Sequence, residues 1–137
     1  MSHRLRTYVV EDSSVIRDNL KETLHENAPV DVIGCAEDER AALDWLLDPR
    51  DRCDLVIVDI FLKSGSGLGV LKQIARREPP LRCVVLSNHA TPEVRAKCIE
   101  LGAARVFDKS NEIDEMLGYF NRLVPGGAAA YSIPSSL

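Results

Sequence analysis

Asp59 follows four apolar residues, Leu55-Val56-Ile57-Val58, so its carboxyl group stands at the end of a buried segment, not in a solvated loop. Four other polar residues sit in the same way. Glu11 and Asp12 follow the apolar run 5–10, Ser87 follows 81–86, and Lys109 comes just after 104–107. Singly, each is ordinary: Asp12 serves equally well as a helix cap, Glu11 and Lys109 as solvated charges, and Ser87 as a turn residue. Brought together they are not. Two like charges about 4 Å apart repel by about 4 kcal/mol at an effective dielectric of roughly 20. Three carboxylates must therefore protonate or take up a cation. Hard oxygen ligands with open positions suit Mg²⁺, which keeps waters and shares its shell with a phosphate. In that setting Asp59 is a nucleophile able to carry an acyl phosphate. Lys109 would pair with the phosphoryl oxygens, and the Ser87 hydroxyl would hydrogen-bond one of them.

The chain alternates two periodicities that would bring these residues to one place. Short β-type runs lie at 5–10, 30–36, 54–58, 81–86 and 104–107. Helical patterns follow each: 14–26 through Ile16, Leu20 and Leu24, then 38–47 through Ala42, Trp45 and Leu46, then 68–77 through Leu71, Ile74 and Ala75. Pro79-Pro80 is expected to stop the third helix. Thr91 is expected to cap the fourth, with Pro92 at its first position, Val94, Cys98 and Leu101 inside and Gly102 at its end. Ser110 is expected to cap the fifth, whose apolar face is Ile113, Leu117, Phe120 and Val124. Strand-helix alternation implies an α/β sandwich with a parallel sheet, in which ligands bind at the carboxyl ends of the strands. Periodicity does not fix the strand order.

The 137 residues suit one domain, over 1–124, with a mobile tail at 125–137 (PGGAAAYSIPSSL). Formal charge is −4, a poor electrostatic match to nucleic acid. No apolar run is long enough to cross a bilayer, and the first ten residues lack a secretion signal, so a cytoplasmic location is expected. Cys35, Cys53, Cys83 and Cys98 form no CxxC pair and read as small buried hydrophobes. His3, His25 and His89 have no ligand spacing.

In order and spacing, the segments VVEDSSVIRDNL, DLVIVDIFLKSGSGLGVL, VVLSNHA and GAARVFDKS resemble the receiver domain of bacterial two-component response regulators, over residues 5 to about 124. The resemblance implies a flavodoxin-like (βα)5 fold with strand order 2-1-3-4-5. It implies that Asp59 is the phosphoacceptor, Ser87 the switch hydroxyl and Lys109 the phosphoryl-binding lysine. Asp12, Asp59 and the backbone carbonyl of Phe61 would bind Mg²⁺ directly, and Glu11 through water. The donor would be a histidine kinase or histidine phosphotransfer protein. The chemistry would be confined to the chain's own phosphorylation and dephosphorylation. Output would come from protein contacts at the face of the fourth helix, fifth strand and fifth helix, including self-pairing into a homodimer.

The sequence departs from the family's pattern at several positions. Val106 replaces an aromatic residue three before the lysine, and strand parity turns Phe107 to the opposite face. Lys63 and Ser110 stand where prolines are common, and Asn88 is bulkier than usual. Phe61 and His89 occupy positions that tune the lifetime of the phosphoryl group, and an apolar Phe61 is expected to lengthen it.

Three other readings compete. A flavodoxin needs a phosphate-cradling loop after the first strand, where this chain has Glu11-Asp12. A haloacid-dehalogenase-type phosphatase carries an acid two residues after its nucleophile, where this chain has Phe61. A pseudo-receiver binds partners without phosphorylation, yet every reactive residue is present here. The Gly65-Ser66-Gly67-Leu68-Gly69 run has the wrong spacing for a dinucleotide loop and reads as a turn and helix start.

Overall fold

The structure, a computed structural model, describes residues 4–48, 53–78 and 81–124. Ten elements alternate along it: β1 (Leu5–Val10), α1 (Ser14–Asn27), β2 (Val30–Ala36), α2 (Glu39–Leu46), β3 (Leu55–Val58), α3 (Gly67–Ile74), β4 (Arg82–Ser87), α4 (Pro92–Glu100), β5 (Arg105–Asp108) and α5 (Ile113–Arg122). The strands form one sheet in the order β2-β1-β3-β4-β5, every pair parallel. This is the flavodoxin-like arrangement that the resemblance implied.

Alternation along the strands divides the core in two. Val56, Val58, Val85 and Val106 pack with Ala42, Leu46, Val70, Ile74 and Cys98 from α2, α3 and α4. Leu55, Ile57, Val84 and Phe107 pack with Leu20, Leu24, Met116 and Phe120 from α1 and α5. Val106 and Phe107 thus face opposite layers, as their parity requires. Burying Phe120, which has no exposed surface, contributes about 1.5–3 kcal/mol.

Helix starts follow the side chains available. The hydroxyl of Ser13 accepts from the amide of Ile16, Asp38 from Ala41, Ser66 from Leu68 and Thr91 from Val94. Asp12 is therefore not the cap of α1. Gly102 ends α4 at φ +110°, a conformation that a side chain would strain.

Two expected boundaries are corrected. Ser110 does not cap α5. That helix starts two residues later behind Glu112, with no side-chain cap, because the carboxylate of Asp108 takes the amides of Ser110 and Asn111 and closes a turn there. The third helix ends at Ile74, and Ala75 is an exposed C-cap, not part of the inner stripe. Pro79-Pro80 and the tail 125–137 lie outside the described residues.

Candidate functional site

The sheet brings the five polar residues to its carboxyl edge by continuing its ladder one step past the strands. Val10 is in register with Val58, and the amide of Asp59 donates to the carbonyl of Val10 at 2.9 Å. Glu11 and Asp59 therefore leave neighbouring strands side by side. Ser87 is paired with Asp108, and the amide of Lys109 donates to the carbonyl of Ser87 at 3.0 Å. Strand order reverses between β1 and β3, so the crevice opens where such folds take ligands.

Carboxylate oxygens of Glu11, Asp12 and Asp59 all lie within 4.8 Å of one another. The ammonium of Lys109 donates to Glu11 Oε1 at 2.6 Å and to Asp59 Oδ2 at 2.9 Å. These three side chains are nearly buried, at 11%, 4% and 10% exposure for Lys109, Glu11 and Asp59. Asp12 is half-buried, and its Oδ2 accepts the amide of Lys63 at 2.7 Å. Asp59 Oδ1 accepts the amide of Phe61 at 3.2 Å. Three carboxylates against one ammonium leave the cluster two charges in excess when all are ionised, which suits a divalent cation.

Burial pushes the Glu11 carboxyl above the usual range, opposed by the hydrogen bonds from Lys109 and the Ser13 amide and helped by the charge of Asp59. Burial alone would lower Lys109, but its bonds to Glu11 and Asp59 outweigh it and hold the ammonium above its ordinary range. A raised carboxyl stabilises the fold below its ordinary titration range and loses that contribution as pH rises through the folded value. At neutral pH the buried Glu11 carboxylate therefore opposes folding, while the Lys109 ammonium it pairs with supports it.

A cavity of about 210 Å³ opens onto this cluster, lined by Glu11, Asp12, Asp59, Lys109, Phe61, Asn88 and His89 among others. Phe61 is 52% exposed, and its ring meets that of His89 edge-on at 5.1 Å. The two residues expected to tune the site thus touch each other. Asn88 is exposed in the same wall. Ser87 is fully buried behind that wall, where its Oγ accepts the amide of His89 at 3.1 Å. Val106 is buried under α4, away from the cavity.

The glycine run is a turn and helix start, as expected, and its spacing now has a reason. Gly65 has φ +78°, and a Cβ on Gly67 would overlap the carbonyl of Asp59. Glycine at 67 lets α3 begin directly against the backbone of Asp59. Sequence reasoning missed Arg95 and Glu112. Arg95 Nη2 donates to Glu112 Oε1 at 2.8 Å, and that same oxygen accepts the amide of Asp108 beside Lys109. A lone arginine on a polar helix face carries no signal that would have marked it.

A profile of the response regulator receiver domain matches residues 7–121. The chain is 28% identical over 100 residues to the DNA-binding transcriptional activator DevR/DosR of Mycobacterium tuberculosis, covering 73% of this chain and 45% of the relative. It is 31% identical over 122 residues to a protein-glutamate methylesterase/protein-glutamine glutaminase of Vibrio vulnificus, covering 87% and 35%. The chain thus spans less than half the length of these relatives. Its fold superimposes on the response regulator domain of Thermotoga maritima CheB with a TM-score of 0.76 at 21% identity, covering 88% of this chain and 96% of that one. Among the described residues no helix is long and apolar enough to cross a membrane. The matched span runs from β1 to α5 and takes in every strand that ends at the cavity. This chain belongs to the response regulator receiver domain family and has its role in two-component phosphorelay signalling.

Proposed function

We propose that Asp59 is the phosphoryl acceptor of a Mg²⁺-dependent transfer, with Lys109 and Ser87 as phosphoryl contacts. The observation that carries this reading is the sharing of one ammonium between Glu11 and Asp59, with Asp12 in reach of both. Glu11, Asp12, Asp59 and the carbonyl of Phe61 would hold the ion. Bound there, Mg²⁺ neutralises charge so that one anion can be attacked by another. An Asp59 oxygen forms the bond to phosphorus as the phosphorus–nitrogen bond of a phosphohistidine breaks, and the departing imidazole takes a proton from solvent. Lys109 leaves its carboxylate partners to follow the arriving phosphoryl oxygens. The donor would be a histidine kinase or phosphotransfer protein, and output would pass through the face of α4, β5 and α5, which could also pair with a second copy. Four free cysteines suit the reducing cytoplasm.

Intact mass after incubation with acetyl phosphate tests this reading. One phosphate adduct is expected with Mg²⁺ and none with a chelator. Asp12→Asn keeps an oxygen for the Lys63 amide but removes a charge from the cluster. Without metal, this variant should unfold at slightly higher urea than the parent. The parent should gain about 2.7 kcal/mol at Mg²⁺ one hundred times its dissociation constant, and the variant little at the same concentration. An adduct that forms equally well in chelator, or an equal Mg²⁺ gain in both proteins, would remove the metal from the account.

Phe61 and His89 line the cavity with their rings in edge-on contact and would hinder attack by water on the aspartyl phosphate. Phe61→Ala should shorten the adduct's half-life on the order of fivefold, equivalent to about 1 kcal/mol in the barrier. Following adduct decay by mass after donor removal checks this, and an unchanged half-life contradicts it.

A further inference from the structure

Arg95, on α4, reaches three separate segments with one side chain. Its Nε donates to the carbonyl of Ala90 at 2.8 Å, its Nη1 to the carbonyl of Val106 at 3.1 Å, and its Nη2 to Glu112 Oε1 at 2.8 Å. Val106 and Glu112 stand three residues before and three after Lys109. The guanidinium therefore brackets the stretch that carries the lysine. Its planar fork suits this better than a single ammonium would, because several donors hold fixed directions at once.

The bracketed stretch runs from β5, whose ladder the Lys109 amide extends to the Ser87 carbonyl, through a turn to the start of α5. It is closed by Asp108, whose Oδ1 takes the amides of Ser110 at 2.7 Å and Asn111 at 3.3 Å. The amide of Glu112 donates to the carbonyl of Asp108 at 2.9 Å, and the amide of Asp108 donates to Glu112 Oε1 at 2.8 Å. Asp108 and Glu112 are thus bound to each other twice, and the oxygen that closes this ring is the one Arg95 holds. An isolated pair of this kind, with side chains 36% and 24% exposed, would contribute little to stability. Its location gives it another use. Glu112 is held below the ordinary carboxylate range by the Arg95 hydrogen bond and then the Asp108 amide, so it stays charged at neutral pH.

We propose that Arg95, acting through Glu112, is a positioning residue for Lys109, and that this contact couples the place of the Lys109 ammonium to the place of α4. The inference rests on the reading of Lys109 as a phosphoryl contact. Coupling of this kind is reciprocal: what α4 binds alters the readiness of Lys109, and a phosphoryl group on Asp59 alters the hold on α4. Val106 contributes a carbonyl to this route, not a ring.

The test compares the full chain with Glu112→Ala, which removes the acceptor oxygen, and Glu112→Gln, which keeps it without the charge. Four quantities are read: the rate of adduct formation from acetyl phosphate at saturating Mg²⁺, the Mg²⁺ dissociation constant, the urea unfolding midpoint, and amide exchange over 92–100 without donor. For Glu112→Ala we expect a rate lower by roughly tenfold, within the range of such couplings, an unchanged Mg²⁺ constant and faster exchange in α4. Glu112→Gln should recover most of the rate. The proposal is overturned if Glu112→Ala takes phosphate at the parental rate. It is equally overturned if rate, Mg²⁺ constant and unfolding midpoint all worsen together with no recovery in Glu112→Gln, since that pattern is general destabilisation. Failure of the underlying reading is seen without these variants, in a parent that takes no phosphate or in a Lys109→Met that takes it at the parental rate. Failure of this inference alone is seen only in the variants.

Discussion

Asp59→Asn takes up no phosphate from acetyl phosphate and Mg²⁺, a loss on the order of a thousandfold or more, while remaining folded. The chemical half follows from the nucleophile: an amide oxygen is a far poorer donor of electrons to phosphorus than a carboxylate, and knocking out a nucleophile removes the reaction, not a fraction of it. The folding half follows from the electrostatics. The Asn oxygen can still accept from Lys109, and the charge lost is one that helps drive the Glu11 carboxyl upward. Removing it relieves a crowded cluster. In the absence of metal the variant should therefore be at least as stable as the parent in urea. Intact mass and an unfolding curve check both halves. A phosphate adduct on Asp59→Asn would move the acceptor elsewhere, and a parent that never accepts phosphate would favour an interaction module over a switch.

Lys109→Met separates two roles of one ammonium. The methionine keeps most of the aliphatic stem and removes the charge that bridges Glu11 and Asp59. With the donor to the phosphoryl group gone, adduct formation should fall by about a hundredfold, the usual cost of losing one such stabilising contact. Stability should also fall, by about 3 kcal/mol, because two nearly buried carboxylates lose their partner. The sign of the pH dependence is set by Glu11. Its carboxyl is already held high by burial, and without Lys109 it rises further, since that hydrogen bond was lowering it. Protonated Glu11 needs no partner, so the stability deficit should shrink as pH falls into the carboxylate range and be largest at neutral pH and above. Added Mg²⁺ should restore much of the stability but not the rate. Urea unfolding from pH 4 to pH 8, with and without Mg²⁺, alongside adduct kinetics, reads all of this. If the metal restored both equally, Lys109 would be only a counterion and not a phosphoryl contact.

Much of the fold was legible because the signals are local. The apolar run 55–58, bounded by Asp54 and Asp59, is what a short strand covered on both faces requires, and the Thr91-Pro92 start and Gly102 end of α4 are each set by neighbouring atoms. Misreadings fell where a distant or less obvious partner competed. Ser110 has a capping hydroxyl, but the Asp108 carboxylate takes its amide first and delays α5 to Ile113. For Asp12 the sequence left cap and ligand equally open, and the structure closes only the first: Ser13 does the capping, and Asp12 is drawn across to the amide of Lys63, 51 residues away.

By itself, then, the sequence determined which residues end the strands and what chemistry their types permit, since alternation and apolar runs are written in consecutive side chains. Only the tertiary structure decided how that chemistry is wired. Lys109 meets Glu11 across 98 residues, Phe61 meets His89, and Arg95 reaches Glu112 because a parallel sheet returns each strand to the same edge after a helix. Contacts of that range depend on strand order and loop closure, which no local pattern encodes.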